Sequence, residues 1–97
     1  MDRIVLARQA ERDLRRIGPG EALTQIREAF AELARRATNL DVTPLVGSAP
    51  WHRLRVGDYR ILHRPIEPDQ PTAPHARWLV ARVVHKRDLE RAVTRVT

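Results

Sequence analysis

The sequence predicts a small α+β domain, an antiparallel-rich sheet with an N-terminal helical hairpin packed on one face, in the order β-α-α-β-β-β-α. Three observations carry that expectation. Trp51–Arg64 has the pattern of a tight β-hairpin, Trp78–Val84 is an apolar run of strand length, and two amphipathic stretches precede them, split by Gly18-Pro19-Gly20. Helical periodicity first and two-residue periodicity afterwards segregate the helices from most of the sheet.

Arg3-Ile-Val-Leu6 is short, apolar and suited to a strand. Leu6, Ala10, Leu14 and Ile17 then recur at helical spacing, which assigns Arg8, Glu11, Arg12, Asp13, Arg15 and Arg16 to solvent. Gly18-Pro19-Gly20 stops that helix. A longer one begins at about Glu21, where Ala22, Leu23, Ile26, Ala29, Phe30, Leu33, Ala34 and Ala37 form one apolar stripe. So short a loop predicts an antiparallel helix pair. Their charges are mixed and neither carries His or Cys, so both are expected to be scaffold, with Arg15-Arg16 and Arg35-Arg36 as solvated surface.

Thr38–Pro50 is expected to connect the helices to the hairpin. Gly57-Asp58 can supply the positive φ that a two-residue turn needs. Val56 then faces Tyr59, Arg55 faces Arg60, Leu54 faces Ile61, Arg53 faces Leu62, His52 faces His63 and Trp51 faces Arg64. Side-chain alternation sorts Trp51, Arg53, Arg55, Arg60, Leu62 and Arg64 to one face, and His52, Leu54, Val56, Tyr59, Ile61 and His63 to the core face. An Arg55–Arg60 pair repels itself, and an anion between the two would relieve it. Pro65–His75 holds four prolines in eleven residues and predicts a loop without regular pairing. Trp78–Val84 resumes as an interior strand, and Leu89, Ala92, Val93 and Val96 predict a short terminal helix opened by Asp88.

A chain of 97 residues has room for one domain, spanning 1–97, and one modest core. It has no cysteine, which excludes disulfides and thiolate chemistry, and no apolar run of membrane-spanning length. Its start is unlike a signal peptide, so a cytoplasmic location is expected. The net charge is +6, contributed by 17 Arg and Lys86 against 12 acids. Residues 1–48 are nearly balanced, whereas residues 49–97 hold 10 basic and 5 acidic side chains. The electropositive half points to a nucleic acid or an acidic protein as partner.

The element order, Leu54-Arg-Val-Gly-Asp-Tyr-Arg-Ile-Leu62 and Val83-Val-His-Lys-Arg-Asp88 together resemble the RelE/ParE superfamily of bacterial type II toxin–antitoxin toxins. The Arg-x-Gly-x-Tyr-Arg hairpin and the His-Lys-Arg-Asp segment resemble the RelE branch more than the ParE branch. The resemblance implies a RelE-like fold and a cognate antitoxin. In the RelE branch it also implies ribosome-dependent endoribonuclease activity on messenger RNA; ParE-like members instead inhibit DNA gyrase. Operator DNA, reached through the antitoxin complex, is a further implied partner, and a membrane is not. Residue by residue, Arg53 and Arg55 match RNA-backbone contacts, Arg60 the position assigned to the scissile phosphate, and Arg87 the one assigned to transition-state charge. Members often carry a tyrosine three or six positions beyond that last arginine, where this chain has Glu90 and Val93, and His63 replaces a usual aromatic.

Metal-free RNA cleavage proceeds by 2′-hydroxyl attack on the phosphodiester and needs a proton acceptor, a proton donor and cations around the charged intermediate. Arginine supplies charge but is a poor base. His85, beside Lys86 and Arg87, is expected to be held neutral by those cations and so to suit a base. Glu90, one helical turn from Arg87, could accept a proton or orient an arginine. The candidate catalytic residues are therefore Arg60, Arg87, His85 and Glu90, with Arg53, Arg55, Arg64 and Lys86 for RNA binding. The scattered histidines have no metal-ligand spacing, so neither metal nor cofactor is expected. Gyrase inhibition, and a degenerate toxin that acts only through antitoxin binding and operon autoregulation, remain alternatives.

Overall fold

A computed structural model describes residues 4–35, 39–66 and 77–96. In chain order the elements are β1 (Ile4–Leu6), α1 (Arg8–Ile17), α2 (Glu21–Ala34), β2 (Val42–Pro44), β3 (His52–Val56), β4 (Tyr59–Ile66), β5 (Arg77–His85), a 3₁₀ turn (Lys86–Asp88) and α3 (Leu89–Val96). The sheet order is β1-β5-β4-β3-β2. All neighbours are antiparallel except β1 and β5. The expected order therefore stands with one addition. Val42–Pro44, within the segment expected to be a connection, pairs with Leu54–His52 as an edge strand, because the hairpin leaves the outer side of β3 open.

The hairpin register agrees with the expected one from Val56–Tyr59 to His52–His63. Gly57 at the turn has φ of 57°, in the left-handed region where glycine carries no Cβ penalty. Pro65 and Ile66 correct the loop expectation. They continue β4 and pair with Trp78 and Arg77. β3 ends opposite His63, so the proline sits where its missing N–H interrupts no ladder on that side. The rest of the expected loop, residues 67–75, lies outside the described residues, as do Arg3, Arg36 and Ala37.

Two cores sandwich the sheet. On one face Ala10 of α1 and Ile26 and Ala29 of α2 pack over Leu54, Ile61, Val80 and Val83, with Leu14, Ile17, Phe30, Val56 and Tyr59 around them. Val80 and Val83 share that face despite their odd separation because the register slips between Leu62 and His63, leaving Ala81 unmatched in a bulge. On the other face Ala92 covers Leu62 and Val84, with Leu45, Leu89, Val93 and Val96 at the margin. The terminal helix thus lies across the sheet from the helical pair, and the arginine side of the hairpin is not wholly solvated. Leu62 is fully buried there, since strand alternation aims Leu62 and Val84 away from the first core and α3 is needed to cover them.

Asp13 is a further correction. The helical pattern assigned it to solvent, yet it is 5% exposed. β1 pairs with β5 only as far as Val80, so the outer edge of β5 beyond it is open, and α1 lies along that edge. There the Asp13 carboxylate accepts from the Val83 backbone N–H at 2.9 Å and from Arg82 Nε and Nη2 at 2.9 and 3.2 Å. One carboxylate thus caps the sheet edge and grips a planar guanidinium fork.

Candidate functional site

The end of β5, the 3₁₀ turn and the hairpin tip meet at one corner of the sheet. Tyr59 pairs with His85 and Arg60 with Val84 across the ladder. Lys86 N–H donates to the Asp58 carbonyl at 2.7 Å, and its Nζ lies 3.5 Å from Asp58 Oδ1. The tip is thereby tied to the turn that carries Arg87. His85 opens the turn: its Nδ1 accepts from the Arg87 backbone N–H at 3.2 Å, and its ring stands edge-on to Tyr59 at 5.7 Å. An imidazole that accepts at Nδ1 carries its neutral-form proton on Nε2. In this arrangement the Nδ1 lone pair of His85 is taken up by the Arg87 N–H.

Arg87 is 77% exposed, and its Nε lies 3.8 Å from Asp88 Oδ2. Arg60 is half-buried and donates through Nη1 to the carbonyls of Gly57 and Tyr59, both at 2.9 Å, which holds its guanidinium at the tip. Arg60, His85, Lys86 and Arg87 therefore fall at one corner.

The other candidates are dispersed. Arg53 donates to Thr43 Oγ1 on the edge strand at 3.1 Å. Arg55 lines a separate recess of about 300 Å³ beside Glu28, Glu32 and Asp41. Arg64 lies at the opposite end of the hairpin, its guanidinium 5.7 Å from the centre of the Trp51 ring. Glu90 is exposed on α3 and does not line the corner cleft; Asp88 does.

That cleft, of about 390 Å³, opens between the C-terminal half of α1, the end of β5 and α3. His85, Arg87 and Asp88 form one end, and Tyr59 lies against it. Arg16, Arg82, Arg91 and Arg95 line the remainder. Arg16 was expected to be plain solvated surface, and Arg82, Arg91 and Arg95 drew no attention in the sequence, although the spacing of Arg87, Arg91 and Arg95 was a legible signal of a shared helical face. Their union with Arg16 had no such signal, because it depends on where α3 crosses the sheet. Among the described residues no group of three or more His, Cys, Asp or Glu is placed to hold a metal ion.

The chain is thus a five-stranded sheet with a helical pair on one face, a terminal helix on the other and a cationic corner at its hairpin. A solved structure, that of the RelB–RelE antitoxin–toxin complex from Methanococcus jannaschii, has this fold: the match has a TM-score of 0.68 at 22% identity and covers 90% of this chain and 95% of that one. Residues 4–90 match the family model described as the ParE toxin of the type II toxin–antitoxin system parDE, and the chain belongs to that family. It is thus a toxin of the RelE/ParE superfamily. No curated protein matches it.

Proposed function

We propose that this toxin is a ribosome-dependent endoribonuclease that cleaves messenger RNA without a metal. The observation that carries the reading is the placement of His85 and Arg87 at one end of an arginine-lined cleft, with Arg60 paired to Val84 at the adjoining hairpin tip. Arg60 and Arg87 hold the scissile phosphate and offset the charge that develops as the 2′-oxygen attacks phosphorus and the P–O5′ bond breaks. His85 donates a hydrogen bond from Nε2 to a non-bridging oxygen. The 2′-hydroxyl proton passes to a carboxylate, and the leaving 5′-oxygen takes one from solvent. Two carboxylates compete for that acceptor role, Asp88 inside the cleft and Glu90 outside it, and Asp88→Asn and Glu90→Gln variants separate them. Lys86, Arg53, Arg55 and Arg64 contribute to the hold on RNA.

Primer extension on messenger RNA in a purified translation system tests the reading. Wild-type toxin produces ribosome-dependent cuts, and Arg87→Ala and Arg60→Ala each lower the cutting rate by about 10²-fold, the scale of removing one donor to a developing oxyanion. No cuts from folded, toxic wild-type protein would overturn it. A ParE-type family model favours a second reading, inhibition of DNA gyrase, which needs no catalytic set. Supercoiling assays with the same three proteins distinguish the two.

The partner in either case is a cognate antitoxin, whose acidic or amphipathic segment folds across Arg53, Arg60 and Arg87. Changing all three arginines to alanine is expected to weaken the complex by at least an order of magnitude in calorimetry, the scale of losing several charge-assisted contacts. Unchanged affinity would place the antitoxin elsewhere.

A further inference from the structure

We infer that the groove between α1 and α3 is a second phosphate site, holding the backbone of single-stranded RNA beyond the His85–Arg87 corner. The ligand's identity rests on the nuclease reading; the site itself rests on geometry and charge. Arg87, Arg91 and Arg95 follow one another at four-residue intervals through the 3₁₀ turn and α3, and all three line the groove. Along α3 that interval advances about 6 Å. Arg16 joins them from α1.

Counter-ions do not match this charge. Asp13 is committed to Arg82 and the Val83 N–H, and Asp88 lies against Arg87. Among the described residues Arg16, Arg91 and Arg95 have no acidic partner, and all three are exposed. Like charges one helical turn apart repel, so Arg91 and Arg95 lower each other's stability until an anion sits between them. Space selects among anions. A groove of about 390 Å³ suits a nucleotide-sized group, whereas an α-helix with its side chains is about 10–12 Å across. An acidic helix would have to ride above the groove, but a sugar–phosphate chain can lie in it. Arginine is also the side chain whose planar fork matches phosphate oxygens in pairs.

Fluorescence anisotropy of a short labelled single-stranded RNA, followed across a salt series with the full-length toxin, tests the site. Arg87→Ala toxin serves as the background, which separates the groove's contribution from that of the His85–Arg87 corner. Adding Arg16→Gln, Arg91→Gln and Arg95→Gln to it is expected to flatten the slope of log affinity against log salt by about 2, near 0.7 for each lost phosphate contact. The loss is equal for unrelated RNA sequences, and Arg91→Lys with Arg95→Lys retains most of the slope. Equal thermal midpoints verify that the variants fold.

An unchanged slope and affinity would overturn the site. So would unchanged RNA binding accompanied by weaker antitoxin binding, which assigns the groove to acidic side chains, or displacement of a nucleoside monophosphate alone, which assigns it to free nucleotides. The nuclease reading fails separately. If wild type never cuts but the slope falls as stated, the groove stands and the reaction does not; cuts with an unchanged slope give the reverse.

Discussion

Asp13→Ala lowers the unfolding free energy of this toxin by about 3 kcal/mol, the low end of what breaking a buried ion pair costs. The carboxylate accepts from four donors at once, Arg82 Nε, Arg82 Nη2, the Val83 N–H and Gln9 Nε2, and is itself 5% exposed. Alanine removes the acceptor and leaves a mostly buried guanidinium and a strand-edge amide with nothing to replace water. For a domain of this size the midpoint of thermal melting falls by roughly 15 °C. Replacing both partners, as Asp13→Leu with Arg82→Met, costs less than the sum of the single changes, because neither charge is then stranded. Urea unfolding of the four proteins measures the coupling. A loss below about 0.5 kcal/mol for Asp13→Ala would mean that the pair behaves as a screened surface contact.

The consequence reaches the site. Asp13 and Arg82 both line the cleft, and they join α1 to the strand that ends in His85. The same change that loosens the fold also frees Arg82, the fifth arginine lining the groove, to compete for phosphate.

The second large effect is a loss of stability in mild acid that originates at His63. This side chain is fully buried between strands, stacked on His52 at 5.7 Å and edge-on to Trp78 at 5.2 Å. Among the described residues neither of its ring nitrogens has a hydrogen-bond partner. Burial, and secondarily the nearby His52, push its pKa down from 6.5 to about 4. The unfolded chain therefore binds a proton at a pH where the folded chain refuses it. The contribution of this residue is complete above about pH 6.5 and is lost as pH falls toward 4, amounting to about 3 kcal/mol over that window. His63→Leu keeps the site apolar, removes the two unpartnered nitrogens and flattens stability between pH 4 and 6.5. Chemical denaturation at several pH values reads the difference; parallel pH profiles for the two proteins would exclude His63 as the origin.

His63 also illustrates what alternation alone can specify. The period-two pattern from Trp51 to Arg64 put it on the core face, and its burial follows from register without knowledge of any partner. That its ring would meet Trp78 was not legible, because the contact depends on the bulge at Ala81, which re-aims β5 against β4. The candidate site divides in the same way. Arg60, Lys86 and Arg87 were visible as motif residues, and the fold gathers them with His85. Arg53, Arg55 and Arg64 belong to the same strand pattern, but the edge strand, the α2 recess and Trp51 draw them in three directions.

By itself, the sequence determined the helices, the hairpin, its register and its sorted faces, since each depends on residues a few positions apart: a helical stripe, a strand alternation, a glycine at positive φ. Tertiary structure alone decided that α3 covers the opposite face of the sheet, that Asp13 meets Arg82 across 69 positions, and that Arg16 joins Arg87, Arg91 and Arg95 around one cleft. The physical reason is that local pattern reports whether a side chain faces protein or water. Which charge it meets there is set by long-range packing, and a charged residue on a helix reads as solvated until another element arrives to bury it.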